Sequence, residues 1–166
     1  MRIEELRVGD ELDYSGEFLV MRDAAQKRLS MMIEKNEELP VNLDKRIVFY
    51  AGPAKSVNGL FGAIGPTTSS RMDSFLEMLY LKGVLATVGK GKRSRIAASI
   101  CKNYGRVYFL APSGAAAALA GTILSMKVLA FEDLGTEAIF STQVKNFPLY
   151  VAIDSLGNDV FDTHVK

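Results

Sequence analysis

The feature that most limits what this chain can fold into is a recurring local plan. A short apolar run meets a stop made of glycine, proline or hydroxyl residues, and a helical pattern follows. In "GEFLVMRDAAQKRLSMMIEKNEELP" the run Phe18–Met21 reads as a strand and Asp23 as an N-cap. The helix is expected to extend towards Pro40, with Ala25, Leu29, Met32 and Ile33 turned inward at three- and four-residue spacing. "RIVFYAGP" is a strand stopped by Gly52-Pro53. In "GLFGAIGPTTSSRMDSFLEMLYLKG", Met72, Phe75, Leu76, Leu79 and Tyr80 share one helical face, and Gly83 supplies the stop. "VLATVGKGKRSRIAASICKNYG" gives a strand to Val88, a Gly-Lys-Gly turn, and a helix capped by Ser94. "RVYFLAPSGAAAALAGTI" repeats the plan with Ser113-Gly114 at its turn. The remaining stretch is richer in strand signals; "LYVAI" is the clearest, and "SLGND" reads as the turn after it. The expected class is α/β, one domain over residues 1–166 with some added strands.

Composition excludes several function classes. The chain has 166 residues and a formal net charge of +1, so bulk electrostatics argue for neither nucleic acid nor an anionic membrane. Cys101 is the only cysteine and His164 the only histidine, which rules out an internal disulfide and a self-contained zinc or iron–sulfur site. The start "MRIEELRVGDEL" has no apolar signal-peptide core, and the chain is expected to remain in the cytoplasm. "APSGAAAALAGTILSM" is too short for a membrane span and reads as a buried helix.

Arg22, Arg71 and Lys90 each stand at a strand-to-helix junction. Where strands run parallel such junctions gather at one edge of the sheet, the usual ligand edge of an open α/β fold. Free amides at helix starts also favour anions. Any one of these cations alone would read as solvated surface; the three together suit a small ligand with two carboxylates. "GPTTSSRMD" is the sharpest case. Ser70 and Asp73 match a capping box, yet Arg71 places positive charge where the helix dipole is already positive. One N-cap accounts for one of Thr67, Thr68, Ser69 and Ser70, not for all of them. Neither this segment nor "GKGKRS" fits a P-loop, and the chain has no G-x-G-x-x-G. The residues themselves therefore lead to a small-anion site with a hydroxyl as candidate catalyst.

Several segments also resemble one known family. "LRVGDELDYSGEFLVMRDAAQKRL", "VFYAGP", "IGPTTSSRMD", "GKGKRS", "LGTEAIFSTQV" and "NFPLYVAIDSLGND" follow in the order found in the β part of class I iron–sulfur hydro-lyases, which include class I fumarate hydratase and L-tartrate dehydratase. The resemblance implies a single swivelling β/β/α domain and reversible hydration of a four-carbon dicarboxylate. It also implies a four-iron four-sulfur cluster held by a partner α subunit, in an assembly such as α2β2, with none bound by this chain alone. Carried over residue by residue, it makes Arg22, Arg71 and Lys90 substrate ligands and Thr67 the group that abstracts a proton at C3 of malate. Thr68, Ser69 and Gln26 would support them. Gln26 stands where the family usually has histidine, Lys92 where it often has asparagine, and "APSG" replaces a more usual Gly-Gly turn. These departures leave fumarate, tartrate and mesaconate open as substrates, and a non-catalytic small-anion or nucleotide-binding domain stays open beside them.

Overall fold

The short apolar runs fold as strands with no exposed face. In the computed structural model, which describes residues 2–53, 64–112 and 120–162, Ile47, Val48 and Phe49 are all buried, as are Ala86–Gly89 and Val107–Phe109. The elements in chain order are β1 (Glu11–Val20), α1 (Asp23–Glu34), β2 (Ile47–Phe49), β3 (Ala51–Pro53), β4 (Ile64–Pro66), α2 (Asp73–Leu81), β5 (Ala86–Gly89), α3 (Arg95–Tyr104), β6 (Val107–Leu110), β7 (Ile123–Ala130) and β8 (Ile139–Ile153). Strands β1, β2, β5 and β6 pair in parallel in that order, the arrangement expected of strand–helix–strand units.

The long strand β8 closes this sheet on itself. It runs antiparallel to β1 from Val20↔Phe140 to Glu11↔Tyr150, and its far end pairs with β6 at Leu110↔Tyr150. The result is a mixed α/β fold built on a small barrel-like sheet, with β7 added alongside β8 and β3–β4 forming a separate ribbon.

Alternation along the strands separates two apolar layers. Phe18, Val20, Ile47, Phe49, Val88, Phe109, Phe147 and Val151 fill the inside of the closed sheet. Phe18, Phe49 and Phe147 meet edge to face, with centroids 5.2 to 5.6 Å apart. Leu19, Met21, Val48 and Tyr108 point the other way, into a layer shared with Leu29 of α1, Leu76 and Leu79 of α2, and Ile100 and Cys101 of α3. Each such side chain contributes roughly 1.5–3 kcal/mol by leaving water.

The helices depart from the sequence expectation in places. Arg22, not Asp23, is the N-cap of α1, and the helix ends at Glu34, with Asn36 at φ 57° turning the chain well before Pro40. Met32 and Ile33 are only half-buried, whereas Gln26 is fully buried. The capping box at Ser70 and Asp73 does not form: α2 is preceded by a 3-10 turn over Ser69–Met72, and no side chain caps either start. Of the expected face, Met72, Leu76, Leu79 and Tyr80 are buried and Phe75 is only half-buried, and Ser94 caps α3 by accepting from the Ala97 amide. At the "SLGND" turn, Asp154 accepts from the amides of Leu156 and Asn158. No helix among the described residues is long and apolar enough to cross a membrane. The Ser113-Gly114 turn, residues 115–119 and His164 lie outside the described residues, and the end of the segment expected to be a buried helix is instead a 3-10 turn, Ala120–Thr122, leading into β7.

Candidate functional site

Parallel pairing fixes the level at which three chain segments leave the sheet. Val20 lies beside Phe49, and Phe49 beside Val88, so Arg22, Tyr50 and Lys90 emerge at one edge. The segment after β4 is bonded into the same edge. Thr67 donates both its amide and its Oγ1 hydroxyl to the Tyr50 carbonyl, at 2.8 and 3.1 Å. The Lys90 amide donates to the Thr67 carbonyl at 3.2 Å, and the Ser69 amide donates to the Lys90 carbonyl at 3.0 Å. Thr67 and Lys90 are thus joined through their backbones although they lie far apart in sequence.

Two glycines make this close approach possible. The Ser69 hydroxyl occupies the space a Cβ on Gly89 would need. The Arg22 guanidinium lies flat against Gly52, where a Cβ would come within 3.0 Å of its Cζ. Arg22 Nη2 donates to Thr136 Oγ1 at 3.4 Å, while its buried Nε meets no acceptor among the described residues. Such a donor normally has a partner.

Arg71 is answered within the chain. It is half-exposed and donates to Asp23 Oδ1 at 2.9 Å, which accounts for a cation at this helix start. Asp23, Lys27, Arg71, Ser74 and Glu137 line a cleft of about 450 Å³. A larger hollow of about 570 Å³ runs along α1 past Lys27, Met31 and Lys35 and touches none of the candidate residues. Its volume alone does not make it the site; it carries Lys27, Arg28 and Lys35, and Arg28 is already paired with Asp133.

Two amides at helix starts are taken by the chain's own carboxylates. Glu137 accepts from the Ala24 amide at 3.3 Å, and Asp73 accepts from the Ser94 amide at 2.9 Å. Lys90 is exposed, Thr67 and Thr68 are half-buried, and Ser69 is fully buried. Gln26 points into the interior, its Nε2 3.4 Å from Met72 Sδ and its Oε1 without a donor among the described residues. The Thr67 hydroxyl acts as a donor in this arrangement, and a bond to a carbonyl favours its protonated form.

Sequence reasoning passed over the groups that hold this edge together. Arg93, in the "GKGKRS" segment, is buried. It bonds the Asp73 carboxylate at 2.5 Å, Thr87 Oγ1 at 3.2 Å and the Tyr50 hydroxyl at 3.1 Å, and its guanidinium lies 5.0 Å from both the Tyr50 and Tyr108 rings. Burial works against its charge, but Tyr50, Asp73 and Tyr80 outweigh that and raise its pKa. A signal was present: Tyr50 and Tyr108 interrupt otherwise apolar runs, and a buried phenol needs a polar partner.

The described residues do not fit a metal cluster. Burial pushes the Cys101 thiol up to about 11, so the thiolate a cluster requires is disfavoured. No group of three or more potential metal ligands occurs among the described residues.

Comparison with known proteins gives consistent matches. Residues 1–164 match the family model described as "Fumarase C-terminus". The chain is 38% identical over 167 residues to a putative L(+)-tartrate dehydratase subunit beta of Methanocaldococcus jannaschii, covering 96% of this chain and 86% of that protein. It is also 38% identical over 158 residues to fumarate hydratase 1, mitochondrial, of Leishmania major, covering 93% of this chain and 29% of that protein. With the aerobic class I fumarate hydratase of Escherichia coli it shares 36% identity over 163 residues, covering 96% of this chain and 30% of that protein. The chain thus spans about three tenths of the fumarate hydratases it matches.

Proposed function

Because the chain belongs to the fumarase C-terminus family, we propose that it is the β part of an iron–sulfur hydro-lyase that interconverts fumarate and (S)-malate. Arg22, Arg71 and Lys90 bind the substrate carboxylates, Thr67 moves the proton, and Thr68, Ser69 and Gln26 support them. A partner α subunit holds the four-iron four-sulfur cluster, in an assembly such as α2β2, and the β part swivels to close over the shared site. The reading is carried by Arg22: an arginine pressed onto Gly52 at the ligand edge of parallel strands, with a buried Nε that lacks an acceptor among the described residues.

The chain's residues suit these tasks unequally. Arg71 meets a substrate carboxylate only by sharing or leaving Asp23, and an exposed pair of that kind is worth about 0–1 kcal/mol, so the exchange is easy. Thr67 must first turn its hydroxyl off the Tyr50 carbonyl and give up its own proton to a base in the shared site; the alkoxide, stabilised by nearby cations, then takes the proton from carbon and is a hydroxyl again.

A second reading, the β subunit of L-tartrate dehydratase, is favoured by identity as high to the Methanocaldococcus protein as to the Leishmania enzyme. Anaerobic co-expression with a cluster-bearing partner, followed by assays on malate, fumarate and tartrate, separates the readings. The pair is expected to turn over malate and fumarate, and the chain alone to be inactive. Preference for tartrate selects the second reading. Activity of the lone chain overturns the shared site, and an inactive pair that still binds dicarboxylates reduces the domain to anion binding.

A further inference from the structure

We propose that the Tyr108 hydroxyl is the positioning group of this site, holding Thr67 and Lys90 in register through Ser69 and Gly91. The hydroxyl lies 2.8 Å from the Ser69 hydroxyl and 2.8 Å from the Gly91 carbonyl oxygen. Ser69 follows two residues after Thr67, and Gly91 directly follows Lys90, so one buried phenol spans both segments. Those segments are otherwise joined by the two backbone bonds Lys90 to Thr67 and Ser69 to Lys90.

Everything around Tyr108 fixes that oxygen in place. Its ring packs 5.0 Å from the Arg93 guanidinium, which is itself anchored to Asp73. Burial raises its pKa, so it remains a neutral phenol able to donate. Gly89 leaves the room into which the Ser69 hydroxyl reaches. Thr67 and Lys90 are assigned different tasks, and a change in their relative placement costs rate more than it costs binding, since proton transfer tolerates less misplacement than an exposed carboxylate contact.

Tyr80 provides the control. It is as buried as Tyr108, and its hydroxyl lies 3.1 Å from the Val107 carbonyl and 3.2 Å from Thr87 Oγ1, in contact with neither catalytic segment. Tyr80→Phe and Tyr108→Phe each remove one buried hydroxyl and are expected to lower Tm comparably. Only Tyr108→Phe is expected to lower kcat.

The kinetic arm rests on the hydratase reading; the exchange arm does not. Tyr108→Phe, Ser69→Ala, their double variant and Tyr80→Phe are compared in the chain assembled with its partner, by steady-state kinetics and by amide hydrogen exchange. Tyr108→Phe is expected to lower kcat by roughly 10- to 100-fold with KM held within about threefold. Ser69→Ala is expected to match it, and the double variant to be no worse than either single change. Exchange at the Thr67, Ser69 and Lys90 amides should quicken in Tyr108→Phe and not in Tyr80→Phe. Equal kcat losses in the two tyrosine variants, an unchanged kcat, or unchanged exchange at those amides each overturns the proposal. If Tyr108→Phe does not fold, Ser69→Ala alone decides by the same readouts. If the assembled wild type has no turnover, the hydratase reading fails, and the exchange rates still decide whether the tyrosine holds the two segments.

Discussion

Replacing Thr67 with alanine is expected to lower turnover of the assembled enzyme by about 10²- to 10⁴-fold, the range for removal of a positioned proton-transfer group. The fold should tolerate the change. The bond lost runs from a half-buried hydroxyl to the Tyr50 carbonyl, and that carbonyl keeps the Thr67 amide as a donor at 2.8 Å. A bond of this kind is worth about 0.5–1.5 kcal/mol, so Tm should move little while kcat falls steeply. Thr67→Ser retains the hydroxyl and should retain most of the turnover. Steady-state assays with the partner present, paired with thermal unfolding, separate the two effects. Near wild-type turnover in Thr67→Ala would remove this residue from the proton path.

Replacing Arg93 with methionine is expected to destabilise the chain by about 3–5 kcal/mol, the cost of breaking a buried ion pair from one side. The guanidinium is fully buried and Asp73 nearly so. Loss of the cation leaves the Asp73 carboxylate with the Ser94 amide as its one partner among the described residues, and leaves the Tyr50 hydroxyl without its bond to Arg93. Methionine keeps most of the apolar volume between the Tyr50 and Tyr108 rings, so the loss reports charge and hydrogen bonding more than a cavity. Asp73→Asn added to Arg93→Met should recover part of the loss, because no unpaired charge then remains. Urea unfolding of the single and double variants measures this, and a single-variant change below about 1 kcal/mol would mean that Arg93 is not the anchor its contacts indicate.

The local plan was legible because it rests on short-range physics. Run lengths and turn residues located β2, β5 and β6, helical spacing located the buried face of α2, and Ser94 declared the start of α3. Closure of the sheet was not legible. It depends on β8 pairing with β1 across more than a hundred residues, as at Val20↔Phe140, and no local pattern encodes such a partner. The first half of β1 was missed although Leu12 and Tyr14 alternate with exposed Glu11 and Asp13, a period-two signal present in the sequence. The early end of α1 follows from Asn36, a residue tolerant of positive φ.

The gathering of the junction segments at one edge was legible in the sequence, and the groups that hold them there were not. Arg22, Arg71 and Lys90 stand at the junctions expected from sequence, and parallel pairing brings the segments of Arg22 and Lys90 to one edge, with Thr67 bonded into it. Their individual roles came from family resemblance alone. Arg93 escaped notice because a Lys-Arg-Ser turn reads as solvated, and only tertiary packing against two tyrosines and Asp73 reveals it as buried. Arg71 was read as waiting for a ligand, whereas Asp23, far away in sequence, already pairs with it.

The most direct test of the shared-site account is a crystal structure of the chain with its cluster-bearing partner and a bound four-carbon dicarboxylate. The account predicts carboxylate oxygens within hydrogen-bonding distance of Arg22, Arg71 and Lys90, with Thr67 Oγ1 turned from the Tyr50 carbonyl towards a substrate carbon. A dicarboxylate held wholly by the partner, with those side chains placed as they are here, would contradict it.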